Sequence, residues 1–422
     1  MKYSFFKKQL GFYLSLVSLA ESVDSVVAKE IYFKPSISIQ AEYDDNKMLK
    51  TDRFNTIDKS AYGIITRVNA IVGVRSDRYD VAIDNQFILN RYKSDFDLDS
   101  DDFNFNLSSD YQLTEKHQFG LSASFKRDTT LTSELGDLGL GTGLVQDNVM
   151  HEQWSIAPTW SYSLSNTQFI QASYEHSEHM YAESKLNSFA DYTIDMFSTS
   201  FTQQWTPLWS NFLSFSAMSF KIPERGEGIF ETDTETTEYS IYIGSQYQLS
   251  PTWSASVTVG ERFTTTEITF QQPNFNTLTF DKVTTSTDVQ GFVFSFDLDK
   301  QFEVGNANIS YSRSTNPQGR GQLEVRDTVN ANFNHRFTQK LNLSLNSSFN
   351  KITISGREDD NNGRTYFDIR PTIRWSFDKQ LNLTAGYRYR AQSYERDDEE
   401  AVSNSVTLNF NYRWDKVSTQ QY

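Results

Sequence analysis

Strict alternation of apolar and polar residues over long segments is the feature that most constrains the fold of this 422-residue chain. In "LNLTAGYRYR" (381–390), Leu, Leu, Ala, Tyr and Tyr would occupy one face of a β-strand, and Asn, Thr, Gly, Arg and Arg the other. "QWSIAPTWSYSL" (153–164) and "SVTLNFNYRW" (405–414) repeat the pattern. These segments run to about 12–16 residues, whereas strands of soluble proteins usually have about 5–6. The strands are therefore long enough to cross a membrane.

Short polar breaks alternate with long ones along the chain. The short breaks lie near 76–77, 114–116, 165–166, 206–207, 250–251, 299–300, 338–339 and 378–379. The long breaks lie near 44–60, 94–101, 129–148, 180–189, 222–235, 268–284, 315–322, 355–364 and 394–400. Short periplasmic turns and long extracellular loops are typical of outer-membrane barrels. The pattern predicts an all-β transmembrane barrel of about 18 antiparallel strands with both termini periplasmic; a large soluble β protein is the alternative.

Composition agrees with a barrel. Aromatic residues make up 15% of the chain, with 33 Phe, 22 Tyr and 7 Trp, although hydrophobic residues reach only 37%. After the N-terminus no apolar run is long enough for a transmembrane helix. Tryptophans near strand ends are typical of interfacial girdles, and here they are Trp205, Trp209, Trp253, Trp375 and Trp414. The absence of cysteine excludes disulfides, a thiol nucleophile and a cysteine-ligated zinc site.

The N-terminus has the pattern of a secretory signal peptide. Three lysines precede a short apolar run that ends in the small residues Ser18 and Ala20. We expect a signal peptide at 1–20 (cleavage after residue 28 is also possible), a short periplasmic segment at 21–34, a barrel at 35–414 and a short tail at 415–422. Removing residues 1–20 changes the net charge from −15 to −18. Such acidity argues against nucleic acid as a partner.

If the apolar faces contact outer-membrane lipid, the alternate residues line a lumen rich in Ser, Thr, Asn, Gln and Gly. The expected basic wall consists of Arg326, Arg336, Arg370, Arg374, Arg388, Arg390 and Arg413. The expected acidic wall consists of Glu42, Asp80, Asp84, Asp110 and Glu175, with Arg67, Arg75 and Lys126 mixed in. A basic wall would favour anions. In the alternative interpretation the lumen charges pair across neighbouring strands and stabilise the barrel, with Glu324 and Asp368 as partners.

The segment 130–149 is the longest loop and the candidate constriction. Its candidate residues are Glu134, Gly136, Asp137, Gly139, Gly141 and Gly143. The Gly-x-Gly-x-Gly run lacks the Lys-Ser/Thr of a phosphate-binding loop, which argues against nucleotide binding. We expect a flexible loop folded into the lumen, or alternatively a simple surface loop.

Enzymatic and metal-binding patterns are sparse, so we expect no catalytic residues, no metal and no cofactor. In "EHSEHM" (175–180), His176 and His179 would face opposite sides of a strand, which argues against zinc. The acidic run 95–102 lacks the Gly and the distal Glu of a calcium loop. An acidic surface loop is the expectation there, with divalent bridging to lipopolysaccharide as the alternative.

Several short motifs resemble those of a known family. They are "AEYDDN" (41–46), "TTLTSELGDLGLGTG" (129–143), "APTWSYSLSNTQFIQASYEH" (157–176), "SRSTNPQGRGQLEVRDTV" (312–329), "RPTIRWSFDKQLNLTAGYRYR" (370–390) and "SNSVTLNFNYRW" (403–414). Together they resemble the outer-membrane β-barrels of exopolysaccharide loci, the VpsM-like or β-barrel porin 2 group, over nearly the whole mature chain. The resemblance implies a Gram-negative biofilm protein that passes an exopolysaccharide across the outer membrane beside a periplasmic polysaccharide export protein. It implies no catalytic residue.

The C-terminus differs from that of many outer-membrane barrels, which end on an aromatic residue that the outer-membrane assembly machinery reads. Here Trp414 is followed by "DKVSTQQY" (415–422). We expect the assembly signal at Phe410, Tyr412 and Trp414, with Tyr422 as the alternative.

Three functions follow from these observations. The first is an exopolysaccharide export pore. The second is a general diffusion or solute-uptake porin, and the third is a surface structural protein or adhesin anchored by a closed barrel.

Overall fold

The computed structural model describes ten segments of the chain: 29–51, 58–134, 148–182, 189–225, 232–274, 279–317, 323–354, 363–394, 399–415 and 417–421. The expected signal peptide lies outside the described residues. So do the four glycines and Asp137 of the expected constriction loop.

Nineteen strands and one short helix make up the described chain. The first nine strands are β1 (Lys29–Asp44), β2 (Ala61–Arg75), β3 (Tyr79–Lys93), β4 (Ser100–Gln112), β5 (His117–Thr129), β6 (Met150–Ser165), β7 (Gln168–Tyr181), β8 (Tyr192–Thr206) and β9 (Trp209–Arg225). The next nine are β10 (Thr232–Ser250), β11 (Trp253–Asn274), β12 (Thr279–Phe302), β13 (Gly305–Pro317), β14 (Leu323–Arg336), β15 (Leu341–Ile354), β16 (Arg364–Ser376), β17 (Leu381–Tyr394) and β18 (Glu399–Arg413). Helix α1 (Thr130–Glu134) follows β5, and β19 (Val417–Gln421) ends the chain. No described helix has the length and hydrophobicity required to cross a bilayer.

Every strand from β1 to β18 pairs antiparallel with the next one in sequence, and β18 pairs with β1. The sheet is therefore a closed barrel of 18 strands, which confirms the predicted fold class and strand number. A barrel of this size has an interior wide enough for an aqueous channel.

The apolar faces of the strands point away from the barrel. Ile64 is 58% exposed and Ile243 is 54% exposed, as expected for side chains that contact lipid and not a second protein layer. Exposed phenylalanines, leucines and valines continue this surface around the barrel. The apolar face of the opening motif thus belongs to the lipid surface.

The two ends of the barrel differ, and we call them the turn rim and the loop rim. The turn rim carries the short connections, such as those that join β8 to β9 and β10 to β11. All five predicted girdle tryptophans are exposed there, and Trp205 and Trp209 lie with ring centroids 6.2 Å apart. The loop rim carries the long connections.

One side of the barrel is much taller than the rest. Strand length rises from 17 residues in β9 to 19, 22 and 24 in β10, β11 and β12, and drops to 13 in β13. We call β9–β12 the tall wall. Much of the polar sequence predicted to be loop at 222–235 and 268–284 is strand, because threonine has high β-propensity when it can pair.

The strand boundaries differ from the expected ones at three places. Pairing starts at Lys29, ahead of the expected Pro35. It also continues past Trp414, where β19 pairs with β1 between Lys29 and Phe33. The turn expected at 299–300 lies a few residues later, after Phe302.

Candidate functional site: the lumen and its cap

The residues of the expected basic wall share the lumen-facing register but lie at two depths. Arg336, Arg374 and Arg413 are exposed near the turn rim. The other four lie closer to the loop rim, where Arg326 and Arg390 are buried. The alternation in the sequence predicted the strand face on which these arginines lie, and the structure shows how far each one lies along the barrel axis.

The β17–β18–β1 seam contains a buried ion pair. Arg390 Nη2 donates to Asp44 Oδ2 at 2.7 Å, and the two side chains are only 3% and 2% exposed. Ser403 Oγ donates to the other carboxylate oxygen at 2.8 Å. The guanidinium also reaches the carbonyl oxygen of Lys47 at 3.3 Å, so it anchors the loop that follows β1. Arg390 therefore stabilises the seam where the barrel closes and is not an exposed lumen charge.

A second and a third ion pair lie beside this seam. Arg388 Nε donates to Asp368 Oδ2 at 2.5 Å, across β17 and β16. Lys47 bonds Glu42. Burial opposes the charge on Lys47, but Glu42, Tyr92 and Asp44 outweigh it and raise the pKa of its ammonium. These contacts agree with the alternative interpretation, in which lumen charges pair across neighbouring strands and Asp368 is one of the partners.

Residues of the expected acidic wall also lie in the lumen register, but they are scattered. Asp80 pairs with Arg75 at 2.5 Å. Asp110 accepts a bond from Gln118 Nε2 at 3.4 Å. Asp84 faces the lumen beside Gln86, and Glu175 lies opposite Met196. The structure does not gather these carboxylates into one site.

A neutral surface of hydroxyls and amides covers the lumen side of β13, β14 and β15, and we call it the amide wall. Its residues are Asn306, Asn308, Ser310, Ser312, Ser314, Thr328, Asn330, Asn332, Asn334, Asn342, Ser344, Asn346, Ser348 and Asn350. Asn332 Nδ2 donates to Asn308 Oδ1 at 3.3 Å, and Thr328 Oγ1 donates to Asn350 Oδ1 at 2.8 Å. Each amide has two N–H donors and a carbonyl acceptor, so one bond to a neighbour does not exhaust it. The wall is continuous between Arg326 at one end and Arg336 at the other.

The loop rim is partly closed by an apolar cluster that we call the cap. It is built from segments 45–51 and 94–99 and from α1. Met48, Leu49, Leu98 and Leu131 pack there against residues of the barrel wall such as Tyr366. Leu49 adopts a φ of 52°, an uncommon conformation for a branched residue, so packing holds the backbone in place. Of the expected constriction loop, α1 thus joins the cap.

A cavity of about 570 Å³ lies against the cap on the lumen side. It is lined by residues of both charge signs, among them Arg67, Asp102, Lys126, Arg370 and Arg388. Its volume falls in the range of small-ligand sites. Sequence periodicity could not reveal it, because its walls come from β1–β5 and β16–β18, which are distant in the chain.

A second inward cluster is centred on His151, and no sequence motif indicated it. His151 is 2% exposed; its Nδ1 lies 2.9 Å from Asp128 Oδ1 and its Nε2 lies 3.2 Å from His179 Nδ1. Tyr192 stacks on His179 with ring centroids 4.3 Å apart. The alternation pattern places Asp128 and His151 on the lumen face of their strands, and this was the available signal. The five histidines are too scattered in the sequence to form a recognisable motif.

The remaining motifs have structural roles. His176 and His179 do face opposite sides of β7, and His176 Nδ1 lies 2.8 Å from Asp195 Oδ1. In the acidic run, Asp101 pairs with Arg91 and Asp102 accepts a bond from Asn90. No group of three or more potential metal ligands occurs among the described residues.

The expected assembly signal lies on the lipid face of β18. Phe410 and Trp414 are exposed there, and Tyr412 packs edge-on against Trp414 with ring centroids 4.8 Å apart. Tyr422 lies outside the described residues.

Comparison with known proteins gives matches in structure only. No family model and no curated protein matches the sequence. The closed barrel of 18 strands with an apolar outer surface has the fold of an outer-membrane β-barrel. Similar solved structures include the ferric-catecholate import receptor Fiu from E. coli K12, at 10% identity and a TM-score of 0.48, covering 90% of this chain and 81% of that one. Others are the FrpB iron transporter from Neisseria meningitidis (F3-3 variant; 9% identity, TM-score 0.45, 94% and 83% covered) and the alcaligin outer-membrane receptor FauA from Bordetella pertussis (12%, 0.43, 90% and 76%).

Proposed function

We propose that the protein is an outer-membrane pore for a saccharide, and that its cargo is an exopolysaccharide leaving the cell beside a periplasmic polysaccharide export protein. The amide wall carries this proposal. Sugar hydroxyls both donate and accept hydrogen bonds, and so do the Asn, Ser and Thr side chains of the wall. Many weak and equivalent contacts suit a moving polymer, since one tight site would stall it.

The placement of the inward clusters supports the same route. The cap cluster draws on residues of β16, β18 and the loops around β1–β6. A further apolar cluster lies at β8 and β9 and consists of Ala190, Tyr192, Phe220 and Ile222. Among the described residues, neither apolar cluster includes a member of β10–β15. The lumen beside the amide wall is therefore left uncovered by the described part of the cap. The export direction and the partner rest on the family resemblance.

Deleting the gene and locating the polymer tests the proposal. We expect exopolysaccharide to be lost from the cell surface, retained in the periplasm and restored by complementation. Normal surface polymer in the deletion strain would reject export.

A variant of the amide wall tests whether export depends on the polar side chains of that wall. Replacing Asn330, Asn332 and Asn346 with leucine makes the centre of the amide wall apolar, and surface polymer should fall although the barrel still folds. Asn69→Leu is the matched control, because Asn69 faces the lumen from β2, outside the wall. If the wall and control variants reduce surface polymer equally, export does not depend on the amide wall.

The uptake porin is the second candidate, and the cavity beside the cap favours it. A compartment of about 570 Å³ suits a small solute better than a polymer. Liposome swelling with mono- and disaccharides distinguishes the two functions: rapid sugar flux combined with normal surface polymer in the deletion strain would favour uptake.

A further inference from the structure

The tall wall ends in a free strand edge. β12 pairs with β11 along nearly its whole length, from Thr279 opposite Asn274 to Lys300 opposite Trp253. It pairs with β13 only between Phe294 and Phe302. On the other side of β12, residues 279–293 therefore have no strand partner among the described residues, and we call this stretch the free edge.

The free edge is long and has a sequence suited to pairing. Fifteen strand positions at about 3.4 Å each extend for roughly 50 Å. An unpaired edge presents backbone N–H and C=O groups that can template another strand. The sequence "TFDKVTTSTDVQGFV" is rich in threonine and valine and contains no proline. Most of its side chains are exposed, and no described strand pairs with this side of it.

The charges on the free edge are complementary to those of a second copy. If two edges pair antiparallel with Thr285 opposite Thr285, then Lys282 of each copy lies opposite Asp288 of the other. In this register Val283 lies opposite Thr287, and no like charges meet. Asp288 is exposed, and its Oδ1 accepts a hydrogen bond from Thr265 at 2.7 Å, which holds the carboxylate in position. Directly opposed unlike charges stabilise an antiparallel pair.

We propose that the free edge of β12 is a homophilic docking site, which pairs antiparallel with the same edge of a second copy of this chain. Thr285 lies on the two-fold axis, and two Lys282–Asp288 ion pairs flank it. This interaction surface is separate from the lumen.

Strand direction determines how the two copies are arranged. β12 runs from the loop rim towards the turn rim, at a tilt of about 40° to the barrel axis. Two barrels in one membrane have their β12 strands descending in the same sense, so these strands cannot run antiparallel. Two barrels in facing membranes have them running in opposite senses. With the long loops outside the cell, the free edge therefore joins protein molecules on neighbouring cells or vesicles.

A cysteine pair tests the register, and the chain has no native cysteine to interfere. In proteoliposomes of the mature protein, Thr285→Cys should form a disulfide-linked dimer on mild oxidation, because the two sulfurs meet at the axis. Thr287→Cys is the matched control: it is also exposed and on the same face, but its counterpart lies four positions, or about 13 Å, away. Equal cross-linking of both variants, or of neither, would reject the register.

Charge exchange tests the recognition. Lys282→Asp and Asp288→Lys each oppose like charges and should weaken vesicle tethering, measured by light scattering, about tenfold. The double exchange restores opposite charges and should restore tethering. The proposal would be overturned if the proteoliposomes do not tether, or if the double variant tethers as weakly as the single ones. The charges would then serve to prevent pairing between edges. Conductance of each variant shows independently that the barrel is folded, so a failed edge is distinguishable from a failed pore.

Discussion

At the residue scale, the sequence specified which side chains face the lumen but not what they contact. Alternation assigns Arg388 and Arg390 to the lumen face, because the period of a strand is two. It could not show that Asp44, 346 positions away from Arg390, completes an ion pair with it. The amide wall was foreseeable as composition, whereas its continuity across three strands depends on their register.

Arg390 is expected to be essential for stability. Arg390→Gln leaves the buried Asp44 carboxylate without its cation, which should cost about 3 kcal/mol of unfolding free energy. The measurement is urea unfolding followed by the mobility difference between folded and unfolded barrel in gel electrophoresis. Arg374→Gln, at an exposed lumen position, is the control and should change stability little. Equal loss in both variants would contradict a specific role for the seam pair.

Ion selectivity should depend on the arginines near the turn rim. Replacing Arg336, Arg374 and Arg413 with glutamine removes three exposed positive charges and should reduce anion preference severalfold. The reversal potential of a planar bilayer under a salt gradient measures this change. An unchanged reversal potential would show that the arginine charges are neutralised in the open channel.

At the element scale, the short turns were predictable because their first residues carry a recurring hydrogen-bond pattern. Thr114, Thr338 and Asp378 each accept bonds from the backbone N–H groups two and three residues later. Such polar side chains favour turns for this reason. The tall wall was not predictable from the same cues, because its threonine-rich segments have the polar composition of a loop. They form strands because they pair across β10, β11 and β12.

One turn should contribute to stability in a pH-dependent way. The N–H groups of Leu381 and Gln380 both donate to the Asp378 carboxylate at 2.7 Å and lower its pKa from the ordinary 3.8. A lowered folded-state pKa stabilises the fold above the unfolded value, and this stabilisation is lost as the pH falls through the folded value. Asp378→Ala should therefore destabilise the barrel at pH 7, and the difference from wild type should shrink well below pH 4.

Thr338→Ala is the uncharged counterpart of this variant. It removes equivalent bonds in the β14–β15 turn at 3.2 and 3.0 Å and should cost about 1 kcal/mol at every pH. Urea unfolding at pH 7 and pH 2.5 measures both variants. A pH-independent loss for Asp378→Ala would rule out the titration.

At the scale of the whole molecule, strand count and closure followed from alternating short and long breaks, but the filling of the lumen did not. The cap requires Met48, Leu98 and Leu131 to meet from three separate connections. Only the closed barrel brings those connections together. Sequence patterns describe one strand at a time and cannot show this convergence.

Loosening the cap should widen the pore. Replacing Met48 and Leu49 with serine removes two buried apolar side chains from the cluster, so the cap should detach and single-channel conductance should rise. Leu113→Ser, at an exposed position of the turn rim, is the control. If conductance stays the same in the cap variant, the cap does not limit the current.

The seam between β1 and β18 brings the two ends of the barrel sequence together. Asp44 lies on the first strand of the barrel, whereas Arg390 and Ser403 lie on its last two strands. A chain that stops before β17 therefore lacks both the guanidinium and the hydroxyl that bond this carboxylate. The buried ion pair can form only when the strands from both ends of the barrel have met.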